Sequence, residues 1–143
     1  MTLDEIKAVI QQNNNSPFTT ELIVGICWAE SSFDPNKVAG GDSTSAGLMM
    51  VNHPAVDTVN ANTPPGIHFE YADMFDAAKA VSCGTWYLQI IYNHAGNQDK
   101  RETLRLYRGV SDYIYADKII ACESCLQVTV VLDPQTCLNQ IHP

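Results

Sequence analysis

Apolar residues recur at helical spacing in several segments of this chain, and the polar residues between them mark where helices start and stop. Leu3, Ile6, Val9 and Ile10 form the first stripe. Thr2 and Glu5 ahead of it have the spacing of a capping box. Asn13-Asn14-Asn15 ends that helix, and Ser16-Pro17 predicts the start of a second, with a cap residue followed by proline at the first helical position. Its stripe is Leu22, Ile23, Ile26 and Cys27, and the next place on it falls to Glu30. From Ser31 to Gly47 the chain is rich in Ser, Gly, Asp and Pro and reads as loop. Leu48 to Val51 reads as a short strand, followed by a Pro-rich connection through Pro54, Pro64 and Pro65. Asp73 is the expected cap of a third helix, whose face carries Ala77, Ala80, Val81, Gly84, Leu88 and Ile91. Asp99 to Glu102 has capping-box spacing again and opens a short helix ending near Gly109. Ser111 starts the last helix, with Tyr115, Ile119, Cys122 and Leu126 on its stripe. Residues 128–132, Val-Thr-Val-Val-Leu, predict a strand or an extended tail. The expectation is a mainly helical fold with one long loop and a small β element, occupying 1–143 as a single domain.

Composition narrows the functional classes. The 143 residues are 45% apolar, enough for one ordinary core. No run approaches the roughly 18 apolar residues of a membrane span, so membrane insertion is not expected. Sixteen Asp+Glu against eight Lys+Arg give a net charge of -8, which leaves no electrostatic footprint for nucleic acid. Five cysteines, at 27, 83, 122, 125 and 137, suggest an oxidising compartment and leave one thiol over. Several pairings are open; disulfides tethering the 127–143 tail to a helix are the expectation, and Cys27 and Cys83 are read as bridged or simply buried. Cys122, Cys125, Cys137 and His142 can be drawn as a zinc site, but a single CxxC with its partner in a tail carries little weight, so neither metal nor cofactor is expected. The first residues, Met-Thr-Leu-Asp-Glu-Ile-Lys, do not read as a signal peptide.

Glu30 is the residue whose position asks for chemistry. It lies four residues after Ile26 and three after Cys27, so it shares their helix face. A carboxyl there loses water, and burial favours its neutral form. The negative end of the helix dipole pushes the same way. A carboxyl kept protonated near neutral pH is what a general acid requires.

The residues that follow carry a resemblance. Glu30-Ser31-Ser32-Phe33-Asp34-Pro35, then Ala46-Gly47-Leu48-Met49-Met50-Val51, resembles the active-site segment of soluble lytic transglycosylases and goose-type lysozymes, where Glu-Ser-x-Phe-x-Pro precedes Gly-Leu-Met-Gln-Val. Phe75-Asp76 with Gly84-Thr85-Trp86-Tyr87-Leu88 is similar to that family's Gly-x-x-Tyr-Leu helix. Leu106-Tyr107-Arg108-Gly109 and Tyr115-Ala116 are similar to its Ala-Tyr-Asn-x-Gly and Tyr-Ala blocks. The resemblance spans about residues 16–122. It departs where Met50 replaces Gln, Arg108 replaces Asn, and Asn52 replaces an Asp common in goose-type lysozymes.

The resemblance implies an α+β lysozyme-like fold and cleavage of the β-1,4 bond between N-acetylmuramic acid and N-acetylglucosamine in peptidoglycan. By it, Glu30 protonates the leaving oxygen. Asp42, following Gly40-Gly41, becomes the second carboxylate of a hydrolase, expected about 6.5–9.5 Å away if the reaction inverts. Tyr107 lies near the acid and the substrate, and Ser31, Met49 and Asn52 are read as substrate contacts. Trp28, Trp86 and Tyr87 are read as core, and Asp34 as a turn residue. The favoured reading is a muramidase, with alternatives in a lytic transglycosylase giving 1,6-anhydro products, a phage-type endolysin, or a glycan-binding module that does not cut. With no visible leader, the chain resembles lysozyme-like toxins of the type VI secretion apparatus, exported to act in a target cell's periplasm or extracellularly. That class implies an immunity protein occluding the cleft.

Overall fold

The structure is a computed structural model that describes residues 1–39, 45–128 and 133–143. Helix α1 (Leu3–Asn13) begins with the expected capping box: Glu5 N–H donates to Thr2 Oγ1 at 3.1 Å, and Thr2 N–H to Glu5 Oε1 at 2.9 Å. Ile6 and Ile10 on its stripe are fully buried. Helix α2 (Thr20–Ser31) starts later than Ser16-Pro17 suggests. Ser16 instead bends the chain by hydrogen-bonding Asn14 Oδ1, and Thr19 becomes the cap by accepting from Leu22 N–H at 3.1 Å. Every residue from Leu22 to Cys27 is buried, so α2 is apolar on all sides and serves as the central helix, packed against α1 and α6 (Ile114–Gln127).

Of the apolar run at 48–51, only Val51 is strand. Residues 47–50 form the turn of a small antiparallel hairpin between β1 (Ser45–Ala46) and β2 (Val51–Asn52), with Ser45 opposite Asn52 and Ala46 opposite Val51. Gly47 has φ +81°, and a Cβ there would sit 1.9 Å from the Met74 carbonyl oxygen, so only glycine fits. The Pro-rich connection contains an unexpected helix, α3 (His53–Asn62), capped by Asn52 Oδ1 on Ala55 N–H at 2.8 Å, with Pro54 in its first turn.

A short 3₁₀ turn (Tyr71–Phe75) leads into α4 (Ala77–Asn93). The cap of α4 is Asp76, which accepts from Lys79 N–H at 3.0 Å, while Asp73 closes the preceding turn by accepting from Glu70 N–H at 2.8 Å. Helix α5 (Lys100–Arg108) runs from its Asp99 cap to Gly109, left-handed at φ +79°, as the spacing predicts. Helix α6 is followed by α7 (Pro134–Leu138), and a disulfide joins Cys125 to Cys137. The tail is therefore tied to a helix, as expected. Trp28 Nε1 donates to the His142 carbonyl at 3.0 Å and adds a second tie. Cys27, Cys83 and Cys122 are buried free thiols. Val128 ends α6, and residues 129–132 of the expected strand lie outside the described residues. The architecture is the mainly helical one, with a small two-stranded sheet, that the sequence predicts. Among the described residues no helix is long and apolar enough to cross a membrane.

Candidate active site

The end of α2 is fixed before its glutamate is placed. Ser31 is 1% exposed, and its hydroxyl lies 2.9 Å from the Cys27 carbonyl and 2.8 Å from the Leu48 carbonyl. One hydroxyl proton thus links the last helical turn to the 47–50 turn. Ser32 and Phe33 then adopt left-handed backbone, φ 51° and 65°, which stops the helix sharply at a cost in strain. With Ser31 turned inward, Glu30 faces a cleft of about 390 Å³, and its side chain is only 8% exposed.

The 47–50 turn and α5 build the cleft around it. Met49 is fully buried and lies over Gly84, where a Cβ would come within 2.5 Å of the Met49 sulfur. That contact explains the glycine in the Gly84-to-Leu88 block. The backbone carbonyl of Met49 accepts from the Tyr107 hydroxyl at 2.6 Å, so the turn is clamped from both sides. Tyr87 and Tyr107 pack at 5.8 Å between ring centroids, and both line the cleft.

Burial raises the pKa of Glu30 above the usual glutamate value. Three weaker influences oppose it: the Arg108 guanidinium, whose Nη1 is 3.9 Å from Oε2, the Tyr115 hydroxyl, and the Lys37 ammonium. Tyr107 and Tyr115 are pushed well above the ordinary tyrosine range, by burial first and then by the nearby carboxyl, so both hydroxyls stay neutral donors. Tyr115 Oη is buried without a hydrogen bond of ordinary geometry, although it stands near enough to Glu30 for each to shift the other. Cys27, one turn before Glu30, is driven to about 12 by burial and adds no charge.

Of the residues singled out in the sequence, the fold brings Glu30, Tyr107 and Asn52 together on the cleft. Asn52 spends its carbonyl oxygen capping α3, which leaves its amide NH₂ as the group able to meet a ligand. Ser31 and Met49 need correction. Both side chains are buried behind the cleft wall, where they hold the wall in place, and neither lines the cleft. Met50, half-buried, lines the cleft instead. Tyr87, read as core, also lines it. Asp42 lies outside the described residues. Asp34 is exposed and accepts from Asn36 N–H at 2.9 Å, the turn role expected of it. Cys125 and Cys137 are consumed by their disulfide and cannot ligate zinc. Lys37 and Arg108 were not read as site residues. Arg108 carried a signal nonetheless, since it stands where the resembled motif has Asn.

A helical fold in which a buried helix ends in a desolvated glutamate, above a cleft closed by a Gly-Leu-Met turn and a tyrosine, is that of a lysozyme-like domain. The family profile described as "Transglycosylase SLT domain" matches residues 7–113, and the chain belongs to that family. A solved relative in fold is the 70 kDa soluble lytic transglycosylase SLT70 from Escherichia coli, with a TM-score of 0.62 at 14% identity over 95% of this chain. At that identity the likeness is one of fold. The chain spans 20% of the SLT70 length. A search of curated proteins finds no match.

Proposed function

We propose that this chain cleaves the β-1,4 bond between N-acetylmuramic acid and N-acetylglucosamine in peptidoglycan strands, with Glu30 as the acid. The observation that carries the reading is the Glu30 carboxyl, 8% exposed and held toward its neutral form by burial, on a sugar-sized cleft. Glu30 gives its proton to the glycosidic oxygen. The bond to the muramyl C1 breaks, and an oxocarbenium-like centre forms. Among the described residues Glu30 is the one carboxyl lining the cleft. A single carboxyl suffices for lytic transglycosylation: the muramyl 6-hydroxyl attacks C1, its proton returns to Glu30, and a 1,6-anhydro end results. Membership in the transglycosylase SLT family supports this course.

Hydrolysis is the second reading, and Asp42 favours it. That residue precedes the Gly47-Leu48-Met49 turn by the short stretch Ser43-Thr44-Ser45-Ala46, a spacing that resembles goose-type lysozymes, and an inverting muramidase needs a second, water-activating carboxylate. The Cys125–Cys137 disulfide supports action in an oxidising compartment outside the cytoplasm. An antibacterial effector role, with an immunity protein filling the cleft, is the biological setting that fits such a chain.

Digestion of purified peptidoglycan by the wild type and by Glu30→Gln tests the reading. Release of muropeptides by the wild type alone supports it, and equal release by both removes the acid role. Product mass then separates the chemistries: an anhydro end identifies the transglycosylase, and ¹⁸O uptake from labelled water identifies the muramidase.

A further inference from the structure

Helix α5 carries three arginines, and two of them are satisfied within the protein. Arg101 makes a two-pronged contact with Asp117, Nε to Oδ1 at 2.8 Å and Nη2 to Oδ2 at 3.0 Å. Arg105 donates from Nε to Glu102 Oε1 at 2.9 Å and from Nη1 to the Val110 carbonyl at 2.9 Å. Arg108 differs. Its nearest carboxyl is Glu30 at 3.9 Å, beyond hydrogen-bond reach, and its other contact is with the Tyr115 ring at 5.8 Å. Its side chain is 54% exposed and stands on the cleft. A guanidinium offers five N–H donors in a planar fork suited to a carboxylate. In a chain with twice as many acidic as basic residues, an arginine whose one carboxylate contact among the described residues is this long is unusual.

A second cation lines the same cleft. Lys37 is exposed there, and among the described residues its ammonium has no carboxylate within 4.0 Å. Among the described residues the cleft therefore carries Lys37 and Arg108 against one carboxyl, that of Glu30, which burial keeps toward neutrality. This local positive field sits on a molecule whose net charge of -8 repels anions overall.

We propose that Arg108, assisted by Lys37, is a specificity-determining pair that binds a carboxylate carried on the muramyl side of the scissile bond. This inference rests on the reading of the cleft as a peptidoglycan-cleaving site and names a further requirement of its substrate. Two groups supply that chemistry in a glycan strand: the lactyl carboxylate where the peptide has been removed, and a stem-peptide carboxylate where it remains. The short reach from Arg108 to Glu30 places the bound anion next to the bond being cut. An anion there also draws the guanidinium away from Glu30, which leaves the acid less opposed in holding its proton.

Binding to the catalytically silenced Glu30→Gln protein tests the pair without turnover. The probes are a muramyl tetrasaccharide with free lactyl carboxylates, its methyl ester, a dipeptide-bearing version ending in a free carboxylate, the carboxamide of that version, and a neutral N-acetylglucosamine tetramer. The free acid of at least one matched pair should bind about tenfold tighter than its neutralised counterpart, the size of one charge-assisted contact. The pair that shows the preference identifies the source of the carboxylate. Adding Arg108→Gln should reduce the preference to about twofold or less, adding Lys37→Gln should narrow it, and Arg108→Lys should restore part of it. Equal binding of acid and neutral forms in both pairs overturns the proposal, and this comparison of ligands needs no further substitution to fold. A preference that survives Arg108→Gln and Lys37→Gln together also overturns it. If the neutral tetramer binds and the wild type digests peptidoglycan while acid and neutral probes bind alike, only this inference falls. If no probe binds and no wall is digested, the cleavage reading falls with it.

Discussion

Two glutamates, Glu102 on α5 and Glu30 on α2, each have an arginine of α5 and a tyrosine for company, and their protonation is driven in opposite directions. Glu102 accepts from Arg105 Nε at 2.9 Å and from the Tyr113 hydroxyl at 2.6 Å, on a partly exposed face. Those hydrogen bonds hold its pKa down to about 2. Glu30 has Arg108 at 3.9 Å and Tyr115 nearby, neither closing a hydrogen bond of ordinary geometry, and its side chain is 8% exposed. Its pKa moves up, because lost hydration outweighs distant charge. The difference lies in contact and solvation, since the partner types are the same. A direct, hydrated ion pair holds a carboxylate ionised, and a withheld one beside lost hydration leaves a carboxyl that keeps its proton to higher pH.

The largest expected effect separates the two sites by activity. Glu30→Gln should reduce wall cleavage by about 10²–10⁴-fold, the usual worth of a general acid. Glu102→Gln should leave cleavage within a few-fold of wild type, measured by muropeptide release. A comparable loss from both would dissolve the contrast.

Stability should respond with opposite signs. A glutamate whose folded pKa is raised gives stability that is full below the unfolded value and lost as pH rises through the folded one. At neutral pH an ionisable Glu30 is therefore a burden, and Glu30→Gln should raise the melting temperature by about 2–4 °C for each kcal/mol regained. Glu102 is the reverse case. Its stabilisation is present above the unfolded value and lost as pH falls toward about 2. Glu102→Gln should lower the melting temperature at pH 7 and flatten its fall in acid, which thermal melts across pH 2–7 would read.

A smaller effect concerns pH-rate profiles. Arg108 and Tyr115 both oppose protonation of Glu30. Arg108→Gln and Tyr115→Phe should each move the alkaline limb of kcat/KM, which reports the free enzyme, to higher pH, since the acid then keeps its proton longer. Arg105→Gln should leave that limb in place. A downward shift from Arg108→Gln would contradict the electrostatics of the cleft.

Much of this contrast was legible in the residues. Glu30 declared itself as a carboxyl on an apolar stripe, and Asp99 and Gly109 bounded α5 through local capping chemistry. The boundaries that misled were those where a second capping residue stood close by. Ser16 yielded to Thr19 and Asp73 to Asp76, because the hydrogen bond that starts a helix depends on how the preceding turn packs. Helix α3 was hidden by Pro54 and by Asn52, whose capping role looks like a loop signal in one dimension. Ser31 and Met49 sit in the right motif but point behind the wall, a distinction made by the turn that Gly47 permits against Met74. Arg108 was visible only as a departure from a pattern. What sets it apart from Arg101 and Arg105 is that, among the described residues, its carboxylate contact is as long as 3.9 Å, which no spacing rule reveals.

The most direct measurement is a carboxyl ¹³C titration of Glu30 and Glu102 in the same folded sample. Glu30 should titrate above the ordinary glutamate value of 4.5 and Glu102 near 2. If Glu30 instead titrates at or below the ordinary value, alongside the exposed carboxylates, it is ionised at neutral pH and has no proton to give to a glycosidic oxygen.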